Sequence, residues 1–561
     1  MLDVVPMLFA LTIRRRANSV LGQPPGHLSV RGYGCRVALG PDPAGVSVAE
    51  LVATLSYAAD LGLGQPMAHC MRQTVIALRL ADLVGASDED RRATYYLGLM
   101  MNSWCHADAA EQARWFGDDI SFKGDGYETL GMNTAQTVAF LVRRVGSHGS
   151  GAQRIRRLAE FPLTGHALVS EFLRTHCELG AEFAACIGLG APVAAAVHQA
   201  YEQWDGKGEP GHLRGVAISL PARLVQLAGP VEVFSRRHGV EAARSMSQRH
   251  RGTYFDPTAV DLFRQHAQQL LDGLDQASDW DAVLALDPAL SQRVSGTELD
   301  AVLLAMADLV DQKSPQFAGH SRGVATLAGE AARICDLPND EITSIRRAGL
   351  IHDLGRLGVS NAVWDKPGLL TNPEFERVRL HPYLTERMLA RVTGLGRSRD
   401  IAARHHERLD GSGYPIGLTA ASLGTADRIL AAADVYHAKT EGRAHRPALT
   451  GAQAGAHLRQ EVRAGRLDGA AVDAVLTAAG HRAPTRHAGP AGLTAREVEV
   501  LGLVAHGLTN KQIASRLQVT PKTAANHVEH VYLKIAVNSR AAATLWATQH
   551  GLVGSFEIGQ H

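Results

Sequence analysis

The feature that most constrains the fold of this chain is that it repeats itself. Gln203-Trp204-Asp205-Gly206-Lys207-Gly208-Glu209-Pro210 reappears as Arg408-Leu409-Asp410-Gly411-Ser412-Gly413-Tyr414-Pro415, at an offset of 205 residues. The same offset carries His176 onto His381, Glu202 onto Glu407 and Arg223 onto Arg428. Further upstream the offset is 251, carrying His69 onto His320 and Leu99 onto Leu350, so the first copy holds 251 − 205 = 46 extra residues between about 102 and 175. Both copies close alike, Phe255-Asp256 with Val260-Asp261 in one and Leu467-Asp468 with Val472-Asp473 in the other. Self-similarity at a fixed offset marks repeated structural units. It divides the chain into a leader at 1–45, a first copy at 46–272, a connector at 273–295, a second copy at 296–480, a linker at 481–490 and a tail domain at 491–561.

Composition sets the class of those units. Alternation of apolar and polar residues is rare and aromatics are only 5%, which together with abundant Ala and Leu predicts an all-α chain. The 57 Lys+Arg against 56 Asp+Glu leave a net charge of +1, so any nucleic-acid binding must be local to one region. The six cysteines (Cys35, Cys70, Cys105, Cys177, Cys186, Cys335) form no CxxC pair and read as reduced thiols of a cytoplasmic protein. No apolar run reaches the roughly 18 residues of a membrane span. The Arg14-Arg15-Arg16 cluster follows the apolar opening, the reverse of a secretory signal.

In the second copy, His320, His352-Asp353, His381, His405-His406 and Asp434 recur in order. Neutral imidazoles and carboxylates suit Fe, Mn or Zn, and one Asp can bridge two ions through its two oxygens. Two metals together polarise a phosphate and supply hydroxide at neutral pH, the chemistry of phosphodiester hydrolysis. The glycines of Asp410-Gly411-Ser412-Gly413-Tyr414-Pro415 permit a tight loop, and Pro415 fixes its exit.

His352-Asp353 followed by His405-His406-Glu407-Arg408-Leu409-Asp410-Gly411-Ser412-Gly413-Tyr414-Pro415 resembles the HD-GYP subgroup of the HD phosphohydrolase superfamily. Asp311-Gln312-Lys313-Ser314 before Gly319-His320-Ser321, and Lys366-Pro367-Gly368 after the HD pair, extend the likeness to about 311–447. The resemblance implies an all-helical phosphodiesterase that opens cyclic di-GMP with Fe or Mn. It implies that one ion takes His320, His352, Asp353 and Asp434, and the other Asp353, His381, His405 and His406, with Asp353 as the bridge. The family usually has Gly-Lys after the HD pair, its Lys close to the substrate phosphate; here Gly355 is followed by Arg356, so Arg356 joins Asp353 as a catalytic candidate. Where relatives with a third metal carry a carboxylate, this chain has Gln316, which implies two metals. Arg356, Asp410, Gly411, Gly413, Tyr414, Pro415 and Arg443 are the candidates for substrate contact.

The repeat also tests the first copy. His69 and His176 survive, but the HD pair becomes Met101-Asn102, the double His becomes Ala200-Tyr201, and the last Asp becomes Gly229. Without a bridging carboxylate two cations would repel at short range, so the first copy reads as degenerate and non-catalytic, left to sense a ligand, pack against the active copy or mediate dimerisation.

The tail opens with Thr494 and Glu497 as a capping box before an apolar-periodic run. A short helix from Lys511 to Leu517, a turn at Val519-Thr520 and a helix entered through Pro521, with Thr523, Val528 and Val531 as its inward stripe, make a helix-turn-helix. Residues 491–550 hold six Lys/Arg against three Glu, a local +3. Through Leu493-Thr494-Ala495-Arg496-Glu497, Gly507-Leu508-Thr509-Asn510-Lys511-Gln512-Ile513-Ala514 and Lys522-Thr523 with His527-Val528, this stretch resembles the four-helix LuxR-type DNA-binding domain. The resemblance implies DNA contacts from Lys511, Lys522, Thr523, Asn526, His527 and Lys534, and a homodimer. The sequence as a whole reads as a cytoplasmic cyclic di-GMP phosphodiesterase coupled to a transcriptional regulator. Its rivals are a regulator that senses the nucleotide without turnover and an HD hydrolase for another phosphate ester.

Overall fold

The computed structural model describes residues 45–147, 151–286, 292–481, 490–550 and 552. Residues 1–44 of the expected leader and 482–489 of the expected linker lie outside the described residues. The chain is helical; among the described residues the one sheet is a two-stranded antiparallel ladder, Val46–Ser47 against Arg293–Val294. Two compact units divide it, one ending at His481 and the other beginning at Arg482.

In the first unit the repeat is visible helix by helix. Val48–Gly62, His69–Leu83, Asp88–Met100 and Leu220–His238 correspond to Gly296–Asp311, His320–Ile334, Asn339–Ile351 and Thr425–Thr440. Even the entry to the second helix is shared. Ala68 and Gly319, which correspond at the offset of 251, are both left-handed with φ of 74° and 77°, a conformation natural for Gly and uncommon for Ala. Just past it, the Cys70 N–H donates to Asp60 Oδ1 (3.0 Å) and the Ser321 N–H to Asp311 Oδ2 (2.9 Å), so one buried Asp pins each helix start. The Gly-rich loops match too. Glu202 accepts from the N–H groups of Gly211 and Leu213, and Glu407 from those of Ile416, Gly417 and Leu418.

The helices of both copies pack on one apolar core, in which Leu51 and Leu55 of the first belong with Ile351, Leu354 and Met388 of the second. The extra residues of the first copy fold as Ala109–Phe116, Asp119–Gly126 and Thr134–Arg144, leading into the long helix Gly151–Cys186. They carry an aromatic cluster of their own around Phe116, Phe122 and Phe140. Asp119 of this insertion reaches the second copy. Its Oδ1 accepts from the Ser360 hydroxyl (2.7 Å) and the Asn361 N–H (2.8 Å), and its Oδ2 lies 3.6 Å from both Lys313 Nζ and Lys123 Nζ. Asn361 Nδ2 in turn donates to the Lys313 carbonyl (2.6 Å). The segment just after the HD pair is thus tied to an anchor that only the insertion supplies.

The terminal unit has four helices, Ala495–Ala505, Asn510–Leu517, Pro521–Lys534 and Arg540–Gln549. Capping boxes at Thr494/Glu497 and Thr509/Gln512 start the first two, and Thr520 caps the third with Pro521 at its first turn. Leu493, Val500, Leu501, Ile513, Ala524, Val528 and Val531 form its core. One inward position differs from the expected stripe: Ala524 is buried, and Thr523 is half-buried with its hydroxyl 2.8 Å from that of Thr520. The cap draws Thr523 towards the turn, which the helical period alone did not reveal. Cys70, Cys105, Cys177 and Cys335 are free thiols. Cys186 is disulfide-bonded, contrary to the expectation of reduced cysteines throughout. No helix among the described residues is long and apolar enough to cross a membrane.

Asp119→Ala leaves Lys313 and Lys123 buried without their shared carboxylate. Breaking a buried pair in this way costs about 3–5 kcal/mol, so the unfolding midpoint of the full chain in urea is expected to fall markedly. An unchanged midpoint would refute the anchoring role.

Candidate metal centre

Most of the expected ligands sit at helix ends, where chain direction changes and side chains can converge. His320 opens the helix His320–Ile334, and His352 caps Asn339–Ile351. Asp353 leads into the tight 3₁₀ turn Leu354–Gly358. His381 opens His381–Leu389, and His405-His406 follow Gly396–Ala403. Asp434 alone is mid-helix, in Thr425–Thr440, just after Ala431, Ala432 and Ala433. Small residues let this helix lie close to its neighbour: a Cβ on Gly323 would run into the His437 ring.

The structure brings all seven side chains together, and six of them are buried, with His406 half-buried. Nδ1 of His352, His381 and His405 faces the carbonyl of Gly349 (2.8 Å), Val378 (2.6 Å) and Ala402 (2.6 Å) respectively. A carbonyl only accepts, so these Nδ1 atoms carry the proton and Nε2 keeps its lone pair for the interior. Around the carboxylate of Asp353 the imidazoles divide. Oδ2 lies 2.8 Å from His352 Nε2 and 3.5 Å from His320 Nε2, while Oδ1 lies 3.4 Å from His381 Nε2 and 3.7 Å from His405 Nε2. Asp434 Oδ1 is 3.3 Å from His320 Nε2, and its Oδ2 is 3.7 Å from His406 Nδ1.

This donor set fits metal ions on its own chemistry. Asp353 Oδ1 is buried without a hydrogen-bond partner, while its Oδ2 lies against His352 Nε2 (2.8 Å) and Arg356 Nη2 (2.6 Å). His381 Nε2 and His405 Nε2 face each other at 3.1 Å, two lone pairs that call for a shared cation. Burial lowers His381 to about 4 and, together with neighbouring imidazoles, holds His405 and His406 well below the ordinary range, which keeps them in the neutral ligand form. Burial would raise the carboxyl of Asp353, but Arg356 and His352 outweigh it and hold the group well below the usual carboxylate range.

Two features were not legible in the sequence. Glu441 Oε2 accepts from His320 Nδ1 (2.9 Å), and its Oε1 lies 3.0 Å from His437 Nδ1. This is the carboxylate–imidazole pairing that orients a metal ligand. It lies just past the helix that carries Asp434, and no motif marks it. Arg356 is buried with its guanidinium 4.4 Å from the Phe317 ring centroid and 5.5 Å from that of Trp364, and its Nη2 is 2.6 Å from Asp353 Oδ2. A planar guanidinium can use such stacking; an ammonium could not in the same way. Arg443 lies on Phe317 (4.7 Å) and pairs with Glu441 (2.7 Å), while the carboxamide of Gln316 donates to Asp365.

The Gly-rich loop is only partly in the site. Tyr414 brings its ring to 4.7 Å from that of His406, but Asp410 is exposed and accepts from the Ser412 N–H and hydroxyl. A Cβ on Gly413 would meet the backbone of Glu407 and Arg408, so the sequence needs glycine there for the loop's own packing. Pro415, with Gly411, shapes the same turn.

Among the described residues the first copy holds no such set. His69 Nδ1 pairs with Glu232 Oε2 (2.6 Å), whose Oε1 accepts from Arg72 and Arg236, and His176 pairs with Asp108 (3.3 Å). In the terminal unit Lys511, Lys522 and Asn526 are exposed and His527 is half-buried. Lys534, expected at a DNA phosphate, is engaged at 2.7 Å with Glu497, the acidic member of the first capping box.

Comparisons with known proteins agree with both halves of this picture. Residues 157–259 and 305–471 match the HD domain family, and 491–547 match the bacterial regulatory proteins of the luxR family. The chain is 32% identical over 406 residues to the 3'3'-cGAMP-specific phosphodiesterase 3 of Vibrio cholerae, covering 72% of this chain and 88% of the relative. A cyclic di-GMP phosphodiesterase of Pseudomonas aeruginosa is 39% identical over 138 residues, 24% of this chain and 33% of the relative. A crystal structure of a cyclic GMP-AMP specific phosphodiesterase from V. cholerae superposes with a TM-score of 0.53 at 27% identity, over 78% of this chain and 98% of that one.

Removing the charge behind a metal-ligating imidazole typically weakens metal affinity by about 10–100-fold. Glu441→Gln is expected to lower Mn²⁺ affinity by that factor in equilibrium dialysis with the circular dichroism unchanged; equal affinity would show that Glu441 does not orient His320.

Proposed function

The chain belongs to the HD-domain phosphodiesterase family and carries a LuxR-family domain at residues 491–547, and from that premise we propose that its second copy opens a 3'3'-linked cyclic dinucleotide at a centre of two Fe or Mn ions while its terminal unit binds DNA. The observation that carries this reading is the division of imidazoles between the two oxygens of Asp353. His320, His352 and Asp434 would hold one ion, His381, His405 and His406 the other, and Asp353 both. When bound, such ions polarise a phosphate and make hydroxide available near neutral pH.

The remaining work falls to the chain's own groups. Arg356, held between Phe317 and Trp364, offers a fixed positive fork to a substrate phosphate, and Arg443 a second positive charge beside it. Tyr414 offers a ring face and a hydroxyl at the mouth of the site. Gly411, Gly413 and Pro415 hold Tyr414 where it stands, and Asp410 closes the turn. Cyclic di-GMP is the substrate implied by the HD-GYP motifs. The alignment that spans both copies, however, is to a 3'3'-cGAMP-specific enzyme, so that hybrid dinucleotide belongs in the same assay.

Lys511, Lys522, Thr523, Asn526 and His527 form the proposed DNA-facing surface, with Lys534 reaching backbone phosphate only if it leaves Glu497. A homodimer working in the cytoplasm and a nucleotide that biases DNA affinity complete the proposal; such bias requires unequal affinity of the nucleotide for the two states. One observation favours a second reading, a nucleotide sensor without turnover: Arg356 Nη2 sits 2.6 Å from the oxygen of Asp353 that faces His320 and His352.

The Mn²⁺- or Fe²⁺-loaded full chain is expected to convert at least one of the two dinucleotides to a linear product, and Asp353→Ala to lower kcat by roughly a thousandfold, the loss of several kcal/mol of electrostatic stabilisation. Tight binding of nucleotide with no product from either metal form would favour the sensor. Lys522→Ala is expected to weaken DNA binding across sequences and to reduce the salt dependence by about one phosphate contact, measured by fluorescence anisotropy at several salt concentrations; an unchanged salt slope removes Lys522 from the interface.

A further inference from the structure

The first copy has lost five of the seven metal-ligand positions, keeping His69 and His176, but it has not lost the space the ligands would occupy. A cavity of about 250 Å³ lies there, and its wall includes Met101, Asn102, Tyr201 and Gly229, the residues standing at the positions of His352, Asp353, His406 and Asp434. Protein interiors are packed to the density of organic crystals, and voids larger than a water molecule are few. Where the wall of a cavity is apolar, it accepts apolar guests. Here the insertion has added apolar wall: Phe116, Phe122, Leu141, Phe161, Phe172 and Leu173 line one part of the cavity. The volume is below the roughly 300–1,000 Å³ of drug-sized pockets, so the guest is small.

The polar part of the wall fixes the guest's charge. His176 and Asp108 face each other at 3.3 Å and neutralise one another; burial depresses His176, but Asp108 and Cys105 outweigh it and raise it to about 10. Lys123 has no carboxylate to itself within 4 Å, although its charge also bears on Asp108. Its ammonium is buried without a hydrogen bond, and the carboxylate nearest to it, Asp119 at 3.6 Å, is shared at the same distance with the buried ammonium of Lys313. A buried cation without full compensation is costly, and Lys123 lines the cavity.

We infer that the first copy binds a small amphipathic carboxylate, an aryl-alkanoate or medium-chain fatty acid, with its apolar body among the insertion's aromatic residues and its carboxylate on Lys123. The site is separate from the metal centre, and its test needs no turnover. Isothermal titration of the full chain with octanoate, 4-phenylbutyrate and the uncharged octanamide reads it directly. One saturable site per chain is expected for at least one of the two acids, with octanamide at least tenfold weaker than octanoate. Lys123→Met is expected to erase the preference for acid over amide, and Leu173→Trp, which fills the cavity, to abolish binding. The inference is overturned if neither acid binds saturably, if acid and amide bind the wild-type chain equally, or if Lys123→Met retains the preference. Undiminished binding to Leu173→Trp overturns it as well, by placing the guest elsewhere.

Discussion

A carboxylate buried among imidazoles is the constraint on which the rest of this structure depends. Asp353 is 1% exposed, and an ionised group so far from water is tolerated only if cations or metals compensate it. His320, His352, His381 and His405 converge on its two oxygens from four separate helix ends, which fixes how those helices must pack. The helix of Asp434 can approach only because its flanks are small. Glu441, Arg356 and the aromatic rings beneath Arg356 then hold the ligands and the local charge in place.

The first copy shows what the same scaffold becomes when that carboxylate is absent. With Asn102 in place of Asp353, His69 turns to Glu232, which stands where the second copy has His437, and the interior holds an apolar cavity in place of a donor cluster. The loop around Glu202 keeps its backbone hydrogen bonds to the carboxylate without any metal chemistry nearby. The Gly-rich turn is therefore a structural property of the fold, separable from catalysis. Retaining the degenerate copy is intelligible through Asp119, which bonds to Ser360 and Asn361 seven and eight residues beyond Asp353.

Much of this was readable in the residues. The repeat at two offsets gave the two copies and the place of the insertion, because His69 and His320, His176 and His381, and the Gly-rich loops recur at fixed spacing. The capping box at Thr494 announced its helix, because N-cap chemistry is local. What stayed hidden depends on tertiary contact. Glu441 and His437 lie beyond any motif, the Phe317–Arg356–Trp364 stack joins residues from three segments, and nothing in the run around Asp119 shows that it reaches Lys313. Thr523 differs from its expected inward place for a related reason: its nearer partner Thr520 is not revealed by the helical period, and neither is the pairing of Lys534 with Glu497.

The central claim is that one carboxylate holds two metal ions. Anomalous diffraction from crystals of the Mn²⁺-loaded protein, measured on both sides of the Mn absorption edge, tests it most directly. The account predicts two peaks in the second copy, one on each side of Asp353 and about 3.5–4 Å apart, as in two-metal hydrolases, and none at Asn102. A single peak, or none within reach of Asp353, would contradict it.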